Sequence, residues 1–85
     1  MQKQQRVRLE KRAKRDLAAL PVVDSTRILH CVKRYAESGH GDVKHLRGDY
    51  EGELRLRVGR YRIILSIRGR YVIVHAIVDR KDAYR

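Results

Sequence analysis

The chain is poor in the residues that most often announce chemistry. Cys31 is its one cysteine. It cannot close an internal disulfide, which fits a reducing cytoplasm, and it falls on the apolar face of an expected helix, the place of a packed structural thiol rather than a nucleophile. The histidines at 30, 40, 45 and 75 show neither HxH nor HExxH spacing and there is no CxxC pair, so no metal site is expected. No GxGxxG or GxxxxGK[ST] loop is present, so no nucleotide cofactor is expected either. Apolar runs all fall short of the roughly 18 residues that a membrane-crossing helix needs, and the first residues lack the apolar stretch of a signal peptide. A cytoplasmic protein is expected. There is no internal repeat, low-complexity tract or linker, so residues 1–85 read as a single domain with one modest core. Acidic residues are scarce: 10 Asp and Glu stand against 21 Lys and Arg, a net charge of +11. That excess favours a polyanionic partner, nucleic acid first and an anionic membrane surface second.

What the sequence does contain is alternation. Leu54 to Ile67 reads LRLRVGRYRIILSI. Leu54, Leu56 and Val58 alternate with Arg55 and Arg57; past Gly59-Arg60, Tyr61, Ile63, Leu65 and Ile67 alternate with Arg62, Ile64 and Ser66. Strict alternation marks strands with one buried and one open face. A two-residue turn at Gly59-Arg60 sets Val58 opposite Tyr61 and Arg57 opposite Arg62. Two arginines then face each other across the ladder, an arrangement that destabilises a sheet by about 0.2–1 kcal/mol. A sheet that tolerates it has a use for an anion there.

Upstream, Arg6 to Leu9 alternates and is expected to be a short strand with Val7 and Leu9 inward. Glu10 to Leu20 places Ala13, Leu17 and Leu20 at helical spacing, and Pro21 ends that helix. Lys11, Arg12, Lys14 and Arg15 read as its solvated face. Asp24 or Ser25 is expected to cap a second helix whose apolar stripe is Ile28, Cys31 or Val32, Tyr35 and Ala36, closed by Gly39. Gly39 to Gly52 reads as irregular. A second tight turn, Gly69-Arg70, leads into a last strand, Tyr71 to Val78, expected to pair Leu65 with Val74, Ile64 with His75 and Arg62 with Ile77. On that register Ala76 and Val78 belong to the core face, and Asp79 to Arg85 forms a polar tail. The expected fold is α+β in the order β-α-α-β-β-β: two N-terminal helices on one face of a small antiparallel sheet, the other face lined by arginine.

That open face collects Arg55, Arg57, Arg62 and His75, with Arg80, Lys81 and Tyr84 at its end. Guanidinium groups bind phosphate in bidentate fashion and stay charged. RNA cleavage by its own 2′-hydroxyl needs little more: a base, cations on the phosphate oxygens and an acid for the leaving 5′-oxygen, with no metal.

The stretches GELRLRVGRYRIILSI and VIVHAIVDRKDAYR resemble the RelE/ParE superfamily of bacterial and archaeal toxins, whose shared pattern runs Gly-x-x-Arg-Leu-Arg-x-Gly-x-Tyr-Arg, then a strand, then an arginine and a nearby tyrosine. VRLEKRAKRDLAALP is similar to the family's first strand and helix, and VKHLRG, carrying Lys44 and Arg47, to its basic loop. The resemblance implies the fold already read. It implies a ribonuclease that enters the ribosomal A site, cuts bound mRNA to a 2′,3′-cyclic phosphate and a 5′-OH, and is neutralised by a small antitoxin. Carried over residue by residue, it implies catalytic roles for Arg55, Arg57, Arg62, Arg80 and Tyr84, and RNA contacts by Lys44, Arg47, His75 and Lys81. Some members carry lysine where Arg55 and Arg57 stand. Arginine does not deprotonate, which leaves Tyr84 or His75 as the base. Two other readings stay open: a ParE-type poison of DNA gyrase, whose members generally lack the full basic set, and an inactive nucleic-acid-binding relative.

Overall fold

The alternating hairpin forms as its pattern requires. The computed structural model describes residues 5–45 and 53–83. β3 (Leu54–Val58) and β4 (Tyr61–Arg68) are joined by a turn in which Gly59 has φ 59°. A positive φ at the first turn position alone suits a type II′ hairpin, and only glycine adopts it freely. The register sets Val58 opposite Tyr61 and Arg57 opposite Arg62. Gly69, also at φ 59°, turns β4 into β5 (Tyr71–Asp79).

The remaining elements are β1 (Arg6–Leu9), α1 (Lys11–Ala18), α2 (Val22–Ser38), β2 (Asp42–His45) and the short α3 (Arg80–Ala83). The sheet runs β1-β5-β4-β3-β2, antiparallel except where β1 lies parallel to β5. This is the expected α+β arrangement with an extra strand and an extra helical turn.

The core lies between the sheet and the two long helices. Ala13 and Leu17 of α1 and Ile28, Val32 and Ala36 of α2 pack against Leu54, Leu56, Val58, Tyr61, Ile63, Leu65, Val72, Val74 and Ile77. Ile63, Leu65 and Val72 are fully buried, each worth about 1.5–3 kcal/mol in surface removed from water. Tyr61 belongs to the core through its ring, while its hydroxyl donates to Asp24 Oδ2 at 2.7 Å.

Several expectations are corrected. Asp24 and Ser25 do not cap α2: the helix starts at Val22, with Pro21 at the cap position (φ −55°). Proline pre-sets the entry angle and its missing N–H is no loss at a helix start. Val7 is exposed rather than inward, since β1 is an edge strand, and only Leu9 packs on the core. Part of the supposed irregular stretch is β2, whose Val43 opposes Leu56; residues 46–52 lie outside the described part. The polar tail begins with Asp79 still in β5 and Arg80 opening α3.

The largest correction concerns β5. Leu65 opposes Val74 as expected, but Ile64 opposes Ala76, so His75 is an extra residue in a β-bulge. Side chains alternate with period two, so one extra residue exchanges the faces of everything beyond it. Ile77, not Ala76 or Val78, therefore joins the core, opposite Ile63, and Val78 rather than Ile77 stands opposite Arg62.

Candidate nucleic-acid interface

Alternation in β3 and β4 sends Arg55, Arg57 and Arg62 to the face away from the helices. Three adjacent strands set them side by side: Arg57 opposes Arg62 on β4 and Asp42 on β2, while Lys44 opposes Arg55. Asp42, Lys44, Arg55, Arg57 and Arg62 line one small polar pocket of about 220 Å³. Four cations and one carboxylate around a space this size suit a phosphate-sized anion, with bidentate guanidinium donors in reach of its oxygens. Asp42 was not anticipated. It is paired with Arg57 across the β2–β3 ladder, on the side of Arg57 away from Arg62. Nothing in the sequence could align it before β2 was known to be a strand.

A second, larger pocket of about 680 Å³ continues along the same face. Its floor is Arg55, Arg62, Ile64, Ala76 and Val78; its walls are Glu53, His75 and the start of α1 at Glu10, Lys11 and Arg12. α1 reaches this face because β1 pairs only with Tyr71–Val74 of β5. Beyond Leu9 the chain turns into the helix, whose Asp16 Oδ2 accepts the Ile77 backbone N–H at 3.0 Å, so α1 covers the stretch of β5 edge that β1 leaves open. Lys11 and Arg12 are exposed, as expected of a solvated helix face, and also line this pocket. Arg55 and Arg62 line both pockets, making one continuous basic surface.

His75 is the bulged residue, and the bulge aims its ring along the open face. Its Nδ1 pairs with Glu10 Oε1, and its Nε2 lies 2.7 Å from Ser66 Oγ. A carboxylate only accepts, so Nδ1 carries a proton toward Glu10, and the Ser66 hydroxyl pairs with Nε2. Glu10 was missed because, in sequence, it reads as the first residue of a helix.

Arg80 and Lys81 are placed elsewhere. The Arg80 backbone N–H donates to the Arg60 carbonyl at 2.7 Å, tying α3 to the β3–β4 turn. Asp79 Oδ1 accepts the Lys81 backbone N–H at 3.1 Å, and Asp79 Oδ2 lies 2.8 Å from the Arg60 guanidinium. The Lys81 N–H and the Arg60 bond hold the Asp79 carboxyl below its ordinary range, and the same carboxylate holds the Arg60 guanidinium above its own. Hydrogen bonding to Asp24, together with burial, pushes the Tyr61 phenol up. These pairs brace the hairpin end of the sheet. Neither Arg80 nor Lys81 lines the two pockets with Arg55, Arg57 and Arg62. Arg47 and Tyr84 lie outside the described residues. Among the described residues no cluster of three or more His, Cys, Asp or Glu could hold a metal ion, and no helix is long and apolar enough to cross a membrane.

The sequence matches no protein-family model and no curated protein. Solved structures do match it. The RelB–RelE antitoxin–toxin complex from Methanococcus jannaschii contains a chain 27% identical, with a TM-score of 0.74 over 91% of this chain and 94% of that one. The RelBE2 toxin–antitoxin complex from Mycobacterium tuberculosis contains one 29% identical, with a TM-score of 0.66 over 88% and 90%. In the RelE–RelB complex from Pyrococcus horikoshii the match is in fold, at 24% identity and a TM-score of 0.75 over 91% and 96%. Over about nine tenths of its length the chain thus shares the fold of the toxin chains in these RelE–RelB complexes, two helices on a mostly antiparallel sheet, and is similar to two of them in sequence.

Proposed function

We propose that this chain is the toxin of a type II toxin–antitoxin system, and that it cleaves mRNA in the ribosomal A site without a metal. One observation carries the reading: Arg57 opposite Arg62, beside Arg55 and Lys44, around a space suited to a phosphate. On this reading the substrate's own 2′-hydroxyl attacks the adjacent phosphorus. Arg55, Arg57 and Arg62 stabilise the charge that builds on the phosphate oxygens, which is where preorganised donors act most strongly. Lys44, Lys11 and Arg12 hold the flanking backbone, and on the strength of the superfamily pattern Arg80 and Tyr84 take catalytic roles while Arg47 and Lys81 contact the RNA. Products are a 2′,3′-cyclic phosphate and a 5′-OH.

A small cognate antitoxin is the second part of the proposal. The similar chains from Methanococcus jannaschii and Mycobacterium tuberculosis are held in complexes with antitoxins, and an arginine-lined face suits a partner with acidic side chains. The test is induction of the protein followed by mapping of 5′ ends in cellular mRNA. Cuts in frame within translated codons, suppressed by the neighbouring short reading frame, support the proposal. Intact mRNA with damaged DNA supports gyrase poisoning instead.

A further inference from the structure

Arginine keeps its proton at any ordinary pH. A site of Arg55, Arg57 and Arg62 therefore lacks the group that starts the reaction by accepting the 2′-hydroxyl proton. The larger pocket contains such a group. We propose that Glu10 is the general base of the cleavage, with His75 as its positioning residue; this inference rests on the ribonuclease reading above.

Glu10 occupies the cap position of α1 with extended backbone, φ −74° and ψ 162°, yet makes no capping hydrogen bond. A side chain there ordinarily turns back to the first free N–H groups of the helix. Glu10 instead reaches across 65 residues of sequence to the His75 ring. That ring is bonded at both nitrogens, to Glu10 and to Ser66, and Ser66 is only 7% exposed. Ser66 is thus a buried anchor and not a nucleophile. With both nitrogens engaged, His75 holds the carboxylate rather than meeting substrate. The Glu10 side chain is 51% exposed against 27% for His75, and no described group bonds its Oε2.

The groups that face Glu10 across the pocket are Lys11 and Arg12 of α1, Glu53 and Arg55 of the β3 side, and Arg62 of β4. A phosphate held by Arg55 and Arg62 brings the ribose within the same pocket as the carboxylate. In the step, the 2′-O–H bond breaks and its proton passes to Glu10 Oε2. The freed electron pair forms the 2′-O–P bond, the P–O5′ bond breaks, and the leaving 5′-oxygen takes a proton from solvent water. Glu53 is the rival carboxylate on the opposite wall.

The test is single-turnover cleavage of ribosome-bound mRNA against pH, for the wild type and for Glu10→Gln, Glu53→Gln and His75→Gln. A second substrate carries sulfur in place of the leaving 5′-oxygen, which removes any need for an acid. Expected results are a fall of about 10²–10⁴-fold for Glu10→Gln with loss of the acid limb of the profile, and no rescue by the sulfur substrate. The acid limb stays in Glu53→Gln, and its midpoint moves in His75→Gln while ribosome binding is kept. Glu10→Asp keeps the carboxylate at the helix start and retains the limb at a reduced rate, which guards against a fold defect in Glu10→Gln. A cleaving wild type with Glu10→Gln within about threefold of it, rescue by sulfur, or transfer of the limb to Glu53 overturns this inference alone. A wild type that leaves mRNA whole overturns the ribonuclease reading together with it.

Discussion

The opposed arginines make a quantitative demand on the fold. Groups directly across an antiparallel pair stand close, so the Arg57 and Arg62 charges are taken to be about 5.5–7 Å apart; in a water-like dielectric they repel by about 0.6–0.8 kcal/mol. Single replacements do not report this energy cleanly, because Arg57 also faces Asp42 and Arg62 makes further contacts of its own. A double-mutant cycle removes those other terms. Arg57→Gln, Arg62→Gln and the double variant are unfolded in denaturant at low salt. The expected coupling is repulsive: the double variant is less stable than the sum of the single effects predicts, by about 0.2–1 kcal/mol. In 1 M salt, where the screening length is about 3 Å, most of it vanishes. Both single variants should lose about 10²–10³-fold in cleavage, the usual effect of removing one charge-stabilising donor. A coupling that is zero, attractive or indifferent to salt would mean that the guanidinium groups point apart, and the anion pocket would lose its basis.

Other outcomes follow from the same geometry. Leu65 is 0% exposed at the centre of the sheet, so Leu65→Ala should cost about 2–5 kcal/mol in a denaturant titration. Asp79 titrates below its ordinary range in the folded state because of the Lys81 N–H and Arg60; its contribution is therefore present at neutral pH and lost as pH falls through and below the carboxylate range, so Asp79→Asn should flatten the acid side of the stability profile. With +11 on the chain, binding to single-stranded RNA should weaken with salt at a log–log slope of about −0.7 for each phosphate contacted, and an affinity indifferent to salt would remove the polyanion argument.

The hairpin was legible because its residues from Leu54 to Leu65 obey one period and because glycine marks the turn; the Arg57–Arg62 pairing followed from those two facts alone, while past Leu65 the expected pattern is reversed, with Ser66 buried and Ile67 exposed. Beyond Leu65 the same reasoning failed. YVIVHAIV is apolar at both Ile73 and Ile77, so either face could have been the core, and an inserted bulge leaves no mark in such a run. The bulge then decided which of Ala76, Ile77 and Val78 faces the helices; Ala76 is buried as well, but outside the core cluster. β2 was hidden for a different reason: DVKH is short and polar, and its one apolar residue, Val43, is only partly buried. Its strand character comes from pairing with β3, which no local pattern reveals. At the site, the arginines on alternating positions could be read directly. Glu10 and Asp42 could not, since each acquires its neighbours from strands far away in sequence.

The central claim is that this basic face cleaves RNA through the RNA's own 2′-hydroxyl. The most direct measurement adds the purified protein to ribosomes carrying a defined mRNA and analyses the ends of the products. A cut at the A-site codon leaving a 2′,3′-cyclic phosphate and a 5′-OH is the predicted result, and replacing the 2′-OH at the cut position by hydrogen abolishes it. Cleavage that survives that replacement, or that leaves a 5′-phosphate, contradicts the account.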